Sequence, residues 1–274
     1  MIPFEKEGVC ILEGMISVSA AVKYKSRRVH LCYIDAEKVK KRDRKVLAFL
    51  KLLENENIPT ELCERSVIDA FLEKHEDAGT SHGGIAAVCA ERRFPPLSEL
   101  LTKTAEKGGF VAVLDGVEDP FNFGYSVRNL YAAGACGIIV PQRNWMSAAG
   151  VCARSSAGAT EMCDIAVMPE MNDAKDHEDF MKMLKKAGLS TVCAAKTADC
   201  TELFDYQPRF PAVLFVGGEK RGISPDFVAN CDDIVSIPYF SDAKFSLPTA
   251  STCAIIGFEF GKKLAEKHAE RIKD

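Results

Sequence analysis

No run of apolar residues in this chain approaches the roughly 20 that a membrane-spanning helix needs, and the opening MIPFEKEGVC lacks the basic-then-apolar layout of a secretory leader. Both absences point to a cytoplasmic protein that does not enter a membrane. Paired cysteines are missing too. The 11 cysteines, from Cys10 to Cys253, stand singly in apolar segments with no CxxC, and the 5 histidines form no HExxH or HxxxH. Reduced thiols packed as small apolar groups are expected, and no metal site. No GxGxxG opens a helix after a strand and no GxxxxGK(S/T) occurs, which argues against a nicotinamide enzyme and against an NTPase. Internal repeats and low-complexity segments are absent as well.

What is present is an ordinary globular composition, 47% hydrophobic and 27% charged over 274 residues, enough for a sizeable core and two domains. The net charge of -4 gives no overall attraction to nucleic acid, yet the first fifty residues hold 11 Lys or Arg against 6 Asp or Glu. Two clusters, Lys23 to Arg28 and Lys38 to Lys45, carry most of that excess. Arg27, Arg28, Lys40 and Lys41 are candidates for neutralising phosphates, with a solvated helix face as the alternative.

Patterning predicts helices near Gly14–Tyr24, Asp43–Asn55 and Ser66–Glu73 interleaved with strands Val29–Ile34, Pro59–Cys63 and Gly84–Cys89. Glu91 to Pro96 (ERRFPP) then reads as a linker, dividing the chain into residues 1–93 and 94–274. Beyond it, near-continuous apolar strands at Gly109–Leu114, Gly137–Val140, Ile165–Met168, Thr191–Ala195, Ala212–Val216 and Ile234–Pro238 alternate with helices. That pattern is an α/β fold, a parallel sheet with helices on both faces. The last predicted helix, Leu247–Arg271, is apolar in its first half and charged in its second.

Three strand ends carry polar chemistry, where open α/β sheets bind ligands. The first is Asp115 to Arg128, DGVEDPFNFGYSVR, in which Asn122 stands where a helix cap belongs and Arg128 lies inside the helix. The second is the strand end with Gly217, Gly218 and Glu219, glycines that permit close backbone approach followed by a carboxylate. The third runs from Ile237 through Phe245 to the start of the last helix.

Together these segments resemble the SpoU/TrmH family of RNA 2'-O-ribose methyltransferases, within the SPOUT superfamily. Asn122, Gly124 and Arg128 are similar to its first motif, Ser156 to Ala159 to its serine-alanine-glycine-alanine signature, and Gly217, Glu219 and Gly222 to its second motif. Ile237, Pro238, Ser246 and Leu247 are similar to its third. The segment His82 to Ala86 resembles the ribosomal-protein-like RNA-binding domain that precedes the catalytic domain in many members.

The resemblance implies a trefoil-knotted sheet in 94–274 and a small α/β RNA substrate-binding domain in 1–93. S-adenosylmethionine is implied as cofactor, held at Gly217, Gly218, Ile237, Leu247 and Thr249. Asn122, Arg128, Glu219 and Ser246 are implied as catalytic, the partners as ribosomal RNA or tRNA, and the active form as a homodimer sharing its site. Because a guanidinium is a poor base, Arg128 is expected to act as a hydrogen-bond donor. One position departs from the family: Pro248 stands where the third motif has asparagine, with Ser246, Thr249, Ser251 and Thr252 as hydroxyls nearby. The alternative is therefore an inactive RNA-binding relative; a third reading is an unrelated α/β enzyme acting on a small metabolite.

Overall fold

Strands and helices alternate through the computed structural model, which describes residues 9–75, 82–142 and 148–271. Residues 1–8, part of the segment read for a leader, lie outside them. In chain order come β1 (Val9–Glu13), α1 (Met15–Tyr24), β2 (Val29–Asp35), α2 (Ala36–Lys40), α3 (Arg44–Asn55), β3 (Thr60–Cys63), α4 (Arg65–Leu72) and β4 (Ile85–Ala90). Then follow α5 (Leu97–Lys107), β5 (Phe110–Asp115), α6 (Pro120–Ala132), β6 (Ile138–Val140), α7 (Ala149–Ser155), α8 (Ala159–Met162) and β7 (Ile165–Val167). The last are α9 (Ala174–Lys186), β8 (Ser190–Ala194), β9 (Thr201–Glu202), β10 (Ala212–Gly217), α10 (Pro225–Asn230), β11 (Asp233–Ser236) and α11 (Thr249–Arg271).

Contacts divide the chain into two units, 1–93 with 144–162, and 94–143 with 163–274. The segment 144–162, which the sequence assigns to the second domain, thus groups with the first unit. In that unit a four-stranded sheet has the order β1-β4-β2-β3, with β4 antiparallel to β1 and β2, and β3 parallel to β2. Asp43 caps α3 by accepting from the Lys45 and Val46 amides, and the helix buries Val46, Phe49 and Leu53 at helical spacing. Ala153 of α7 joins the same core as Val18, Ala21 and Cys89.

Arg27 is not a free surface cation. Its guanidinium grips Glu161 through two 2.9 Å hydrogen bonds, Nε to Oε2 and Nη2 to Oε1, and Ser26 Oγ donates to the same carboxylate. Both side chains are almost wholly buried, at 4% and 1% exposure. Burial alone would raise the Glu161 carboxyl, but the Arg27 charge and hydrogen bonds outweigh it and hold it below its ordinary value. Arg27 is thereby withdrawn from the set of phosphate candidates, whereas Arg28 is exposed.

The second unit holds a seven-stranded sheet of order β7-β6-β5-β10-β8-β11-β9, parallel at each neighbouring pair. Successive strand residues face opposite sides. Val111, Val113, Val213 and Phe215 pack with Phe180 and Leu184 of α9 and Phe227 of α10. Phe110 instead meets Phe260 of α11, ring centroids 5.7 Å apart. Helices therefore cover both faces.

Several elements differ from expectation. α5 starts directly behind Pro96, so the two prolines of the supposed linker introduce a helix rather than a connection to a strand. α11 starts at Thr249, two residues after the expected Leu247, because Pro248 lies just ahead of its first turn. Its apolar half is largely covered within the chain: Ile256 and Phe260 are 1% and 0% exposed, leaving Phe258 outward at 54%. Gly257 and Gly261 let it close on α6, where a Cβ at Gly261 would lie 2.2 Å from the Ala133 carbonyl oxygen. Among the described residues no helix is long and apolar enough to cross a membrane.

Candidate active site

At the carboxyl ends of β8, β10 and β11 the second unit encloses a cavity of about 390 Å³. That volume is within the roughly 300–1,000 Å³ of ordinary small-molecule sites. Gly217, Gly218, Ile237, Leu247 and Thr249 all line it, as do Glu219 and Ser246. Val216, Val235 and Ile256 supply apolar wall.

Main-chain packing builds the floor. Gly218 N–H donates to the Asp115 carbonyl at 2.6 Å, and Gly222 N–H donates to the Gly218 carbonyl at 2.9 Å. The Asp115 carboxylate then takes the Ser224 amide at 2.7 Å. One residue at the end of β5 thus fixes both ends of the loop that follows β10. A Cβ on Gly217 would lie 2.3 Å from the Gly222 carbonyl carbon, and one on Gly218 would lie 2.1 Å from the Gly116 carbonyl oxygen. Neither obstacle is a flexible side chain, so the backbone itself excludes any larger residue.

Gly218→Ala is accordingly expected to cost about 1–3 kcal/mol, as overpacking does, and to distort the cavity. Thermal unfolding checks this, and a variant as stable as the parent would show that the loop relaxes freely.

Asn122 is not the helix cap. Asp119 caps α6 by accepting the Asn122 amide at 2.8 Å, with Pro120 in the first turn. The Asn122 side chain is free to reach across 97 residues of sequence and donate Nδ2–H to Glu219 Oε1 at 3.1 Å. Thr249 Oγ1 donates to the Gly217 carbonyl at 2.9 Å, tying the start of α11 to the end of β10. Its hydroxyl is thereby engaged, whereas Ser246 stays exposed at the rim. Arg128 is exposed on α6 and does not line the cavity. It shares a stripe with Phe121 and Tyr125, which are 46% and 45% exposed.

Ser156 to Ala159 falls in the first unit, where Ser156 Oγ accepts the Thr160 amide at 3.1 Å in a buried turn. The cavity also includes Tyr239 and Phe245 from the third strand-end segment, and Ala194, Ala195 and Lys196 at the end of β8, which sequence reasoning did not assign to a site. The apolar run that ends just before Lys196 was the available signal.

Chemically, the cavity offers main-chain donors and acceptors, apolar walls for a heterocycle, and one carboxylate oriented by an amide. It suits a small organic cofactor held by backbone, which is why no side-chain fingerprint marks it.

Residues 109–258 match the model of the SpoU rRNA methylase family. The chain is 31% identical over 256 residues to the 23S rRNA (guanosine-2'-O-)-methyltransferase RlmB of Shewanella oneidensis, covering 91% of this chain and 95% of that protein. It is 28% identical over 188 residues to a putative TrmH family tRNA/rRNA methyltransferase of Staphylococcus haemolyticus, covering 68% and 72%. Among solved structures, the SpoU methyltransferase AviRb from Streptomyces viridochromogenes, in complex with the cofactor AdoMet, superposes with a TM-score of 0.73 at 21% identity, covering 94% of this chain and 92% of that one.

Proposed function

The chain belongs to the SpoU rRNA methylase family, and from that premise we propose that it transfers the methyl group of S-adenosylmethionine to a ribose 2'-hydroxyl of RNA, with ribosomal RNA as the substrate class. The RlmB relatives are named for that reaction on 23S rRNA. The observation that carries the proposal is the backbone-walled cavity whose rim holds Glu219, oriented by Asn122 at 3.1 Å.

The bound cofactor supplies an electrophilic methyl group on a sulfonium. Gly217, Gly218, Ile237 and Leu247, which line the cavity, would hold it. Asn122 keeps one Glu219 oxygen in place, and the carboxylate accepts the proton of the attacking 2'-hydroxyl. Arg128 donates to the neighbouring phosphate or to the developing alkoxide.

Arg128 lies outside the cavity of its own protomer, which supports a site completed by a second copy. Phe121 and Tyr125 on α6 and Phe258 on α11 are the exposed apolar groups for that contact. Phe258→Asp is expected to yield a monomer that transfers little methyl; light scattering showing an intact dimer would remove this face from the interface.

Residues 1–93 are proposed to hold RNA. A cavity of about 510 Å³ in the first unit is lined by Lys25, Arg28, His30 and Arg93 together with one carboxylate, Glu56, which lies 3.8 Å from Lys25, so that cationic side chains predominate for phosphate.

Pro248 keeps a second reading open, an RNA-binding relative without activity. The engaged Thr249 hydroxyl leaves Ser246 as the rim group nearest in sequence to the missing asparagine. Transfer of labelled methyl from S-adenosylmethionine to total RNA, followed by mapping to ribose, decides between them. Cofactor binding by calorimetry without transfer would favour the inactive relative, and no cofactor binding at all would remove the methyl-transfer reading.

A further inference from the structure

Cys193 is the fourth residue of β8 and is fully buried, between Phe215 of β10 and Ile234 of β11 in the sheet. Cys231 follows α10 and is half-buried. Their Sγ atoms lie 2.9 Å apart. The approach is held by a hydrogen-bonded clamp between the two segments rather than by chance rotamers. Asp232 Oδ2 accepts both the Thr191 amide and the Thr191 hydroxyl at 2.9 Å, and the Asp232 amide donates back to Thr191 Oγ1 at 3.0 Å. Lys185 closes the clamp on the other oxygen of Asp232 at 2.9 Å. The turn that carries Cys231 is thus locked beside the strand that carries Cys193.

We infer that Cys193 and Cys231 form an oxidation site, a dithiol that closes to a disulfide under a low-molecular-weight disulfide oxidant such as glutathione disulfide. The inference is independent of the proposed methyl transfer. A disulfide bond is about 2.05 Å long, so closure needs roughly 1 Å of sulfur movement from the 2.9 Å separation.

The half-buried Cys231 is the entry point. Its thiolate attacks one sulfur of the oxidant, forming a mixed disulfide and expelling one thiolate. The Cys193 thiol then attacks the Cys231 sulfur, and its proton passes to the departing sulfur, which leaves as the second small thiol. Two protein thiols lose two electrons and two protons, and the small disulfide is reduced to two thiols. Cys193 keeps its proton until that second step, because the Cys231 sulfur and burial both push its thiol well above the ordinary value. Bulk oxidant cannot reach it, so closure depends on Cys231.

The bond would sit one residue from Ala194 and five from Ser236, both of which line the cofactor-sized cavity. Oxidation therefore stiffens two walls of that cavity at their bases.

The competing pair is Cys10 and Cys89, directly opposite each other across β1 and β4, with Arg27 Nη1 donating to Cys10 Sγ at 2.7 Å. Peptide mapping separates the two. Folded, reduced protein is incubated with glutathione disulfide, its remaining thiols are alkylated under denaturing conditions, and the digest is read by mass spectrometry. The expected product is a cross-linked peptide joining Cys193 to Cys231, reversed by dithiothreitol. Because the bond closes a loop spanning 38 residues, the melting temperature should rise by roughly 5–10 °C. Cys231→Ser and Cys231→Ala should show neither cross-link nor rise. Both thiols alkylated after treatment, a glutathione adduct on Cys231 that never closes, or a cross-link confined to Cys10 and Cys89 would each overturn the assignment.

Discussion

Arg128→Ala is expected to lower methyl transfer by about 10²–10³-fold while leaving S-adenosylmethionine affinity within about twofold. The residue is exposed on α6 and lines no part of the cavity, so removing it should disturb neither the cofactor walls nor the helix. Its contribution would appear only as charge develops on the ribose oxygen, and the loss should fall on kcat. Lysine keeps the charge but not the forked geometry, so Arg128→Lys should recover only part of the rate. Weakened cofactor binding with unchanged kcat would show that Arg128 acts on the cofactor side and not on the RNA.

The second large effect concerns stability. Glu161→Ala leaves the Arg27 guanidinium buried without its bidentate partner, and breaking such a pair costs about 3–5 kcal/mol. Urea unfolding measures it, and a loss under about 1 kcal/mol would mean that water or another carboxylate reaches Arg27. Replacing both partners together, by Arg27→Met with Glu161→Leu, should recover most of the loss, since the pair offsets its own desolvation more than it adds net stability.

The pH dependence has a definite sign. Glu161 has a folded value below its unfolded one, so its contribution is fully present above the ordinary carboxyl range. That contribution is lost as the pH falls from about 4.3 through the lower folded value. Arg27 is pushed up by Glu161 against the opposing effect of burial, and it stays charged across this window. Acid unfolding that begins above pH 5 would need another group.

The central parallel strands were legible because they are short apolar runs, β5 as FVAVL and β10 as AVLFV, buried on both faces and bounded by glycine or a polar turn, whereas the edge strand β9, two exposed polar residues, left no such signal. α5 was hidden by the prolines ahead of it, and β1 by its shortness, a five-residue run VCILE that leads almost directly into α1. The resemblance to the family's motifs pointed to Gly217, Glu219, Ile237 and Leu247, and all four line one cavity. What no spacing could reveal is pairing over long separations. Arg27 looked like one cation in a basic run until Glu161, 134 residues away, turned out to hold it. Asn122 looked like a cap for the same reason: its true contact, Glu219, is 97 residues downstream, while the capping role belongs to Asp119.

The loop from Gly218 to Ser224 has a consequence for redesign. Its path is set from within by the carbonyl and carboxylate of Asp115 and by the bond between Gly218 and Gly222, all of which involve main chain on the loop side. Arg221, at its tip, is exposed, and Lys220 beside it reaches back only by an exposed side-chain bond of 3.1 Å to Glu118. The loop therefore behaves as a socket with an exchangeable face: its tip side chains can be rewritten without disturbing the glycine floor beneath, whereas one added methyl group on that floor would close it.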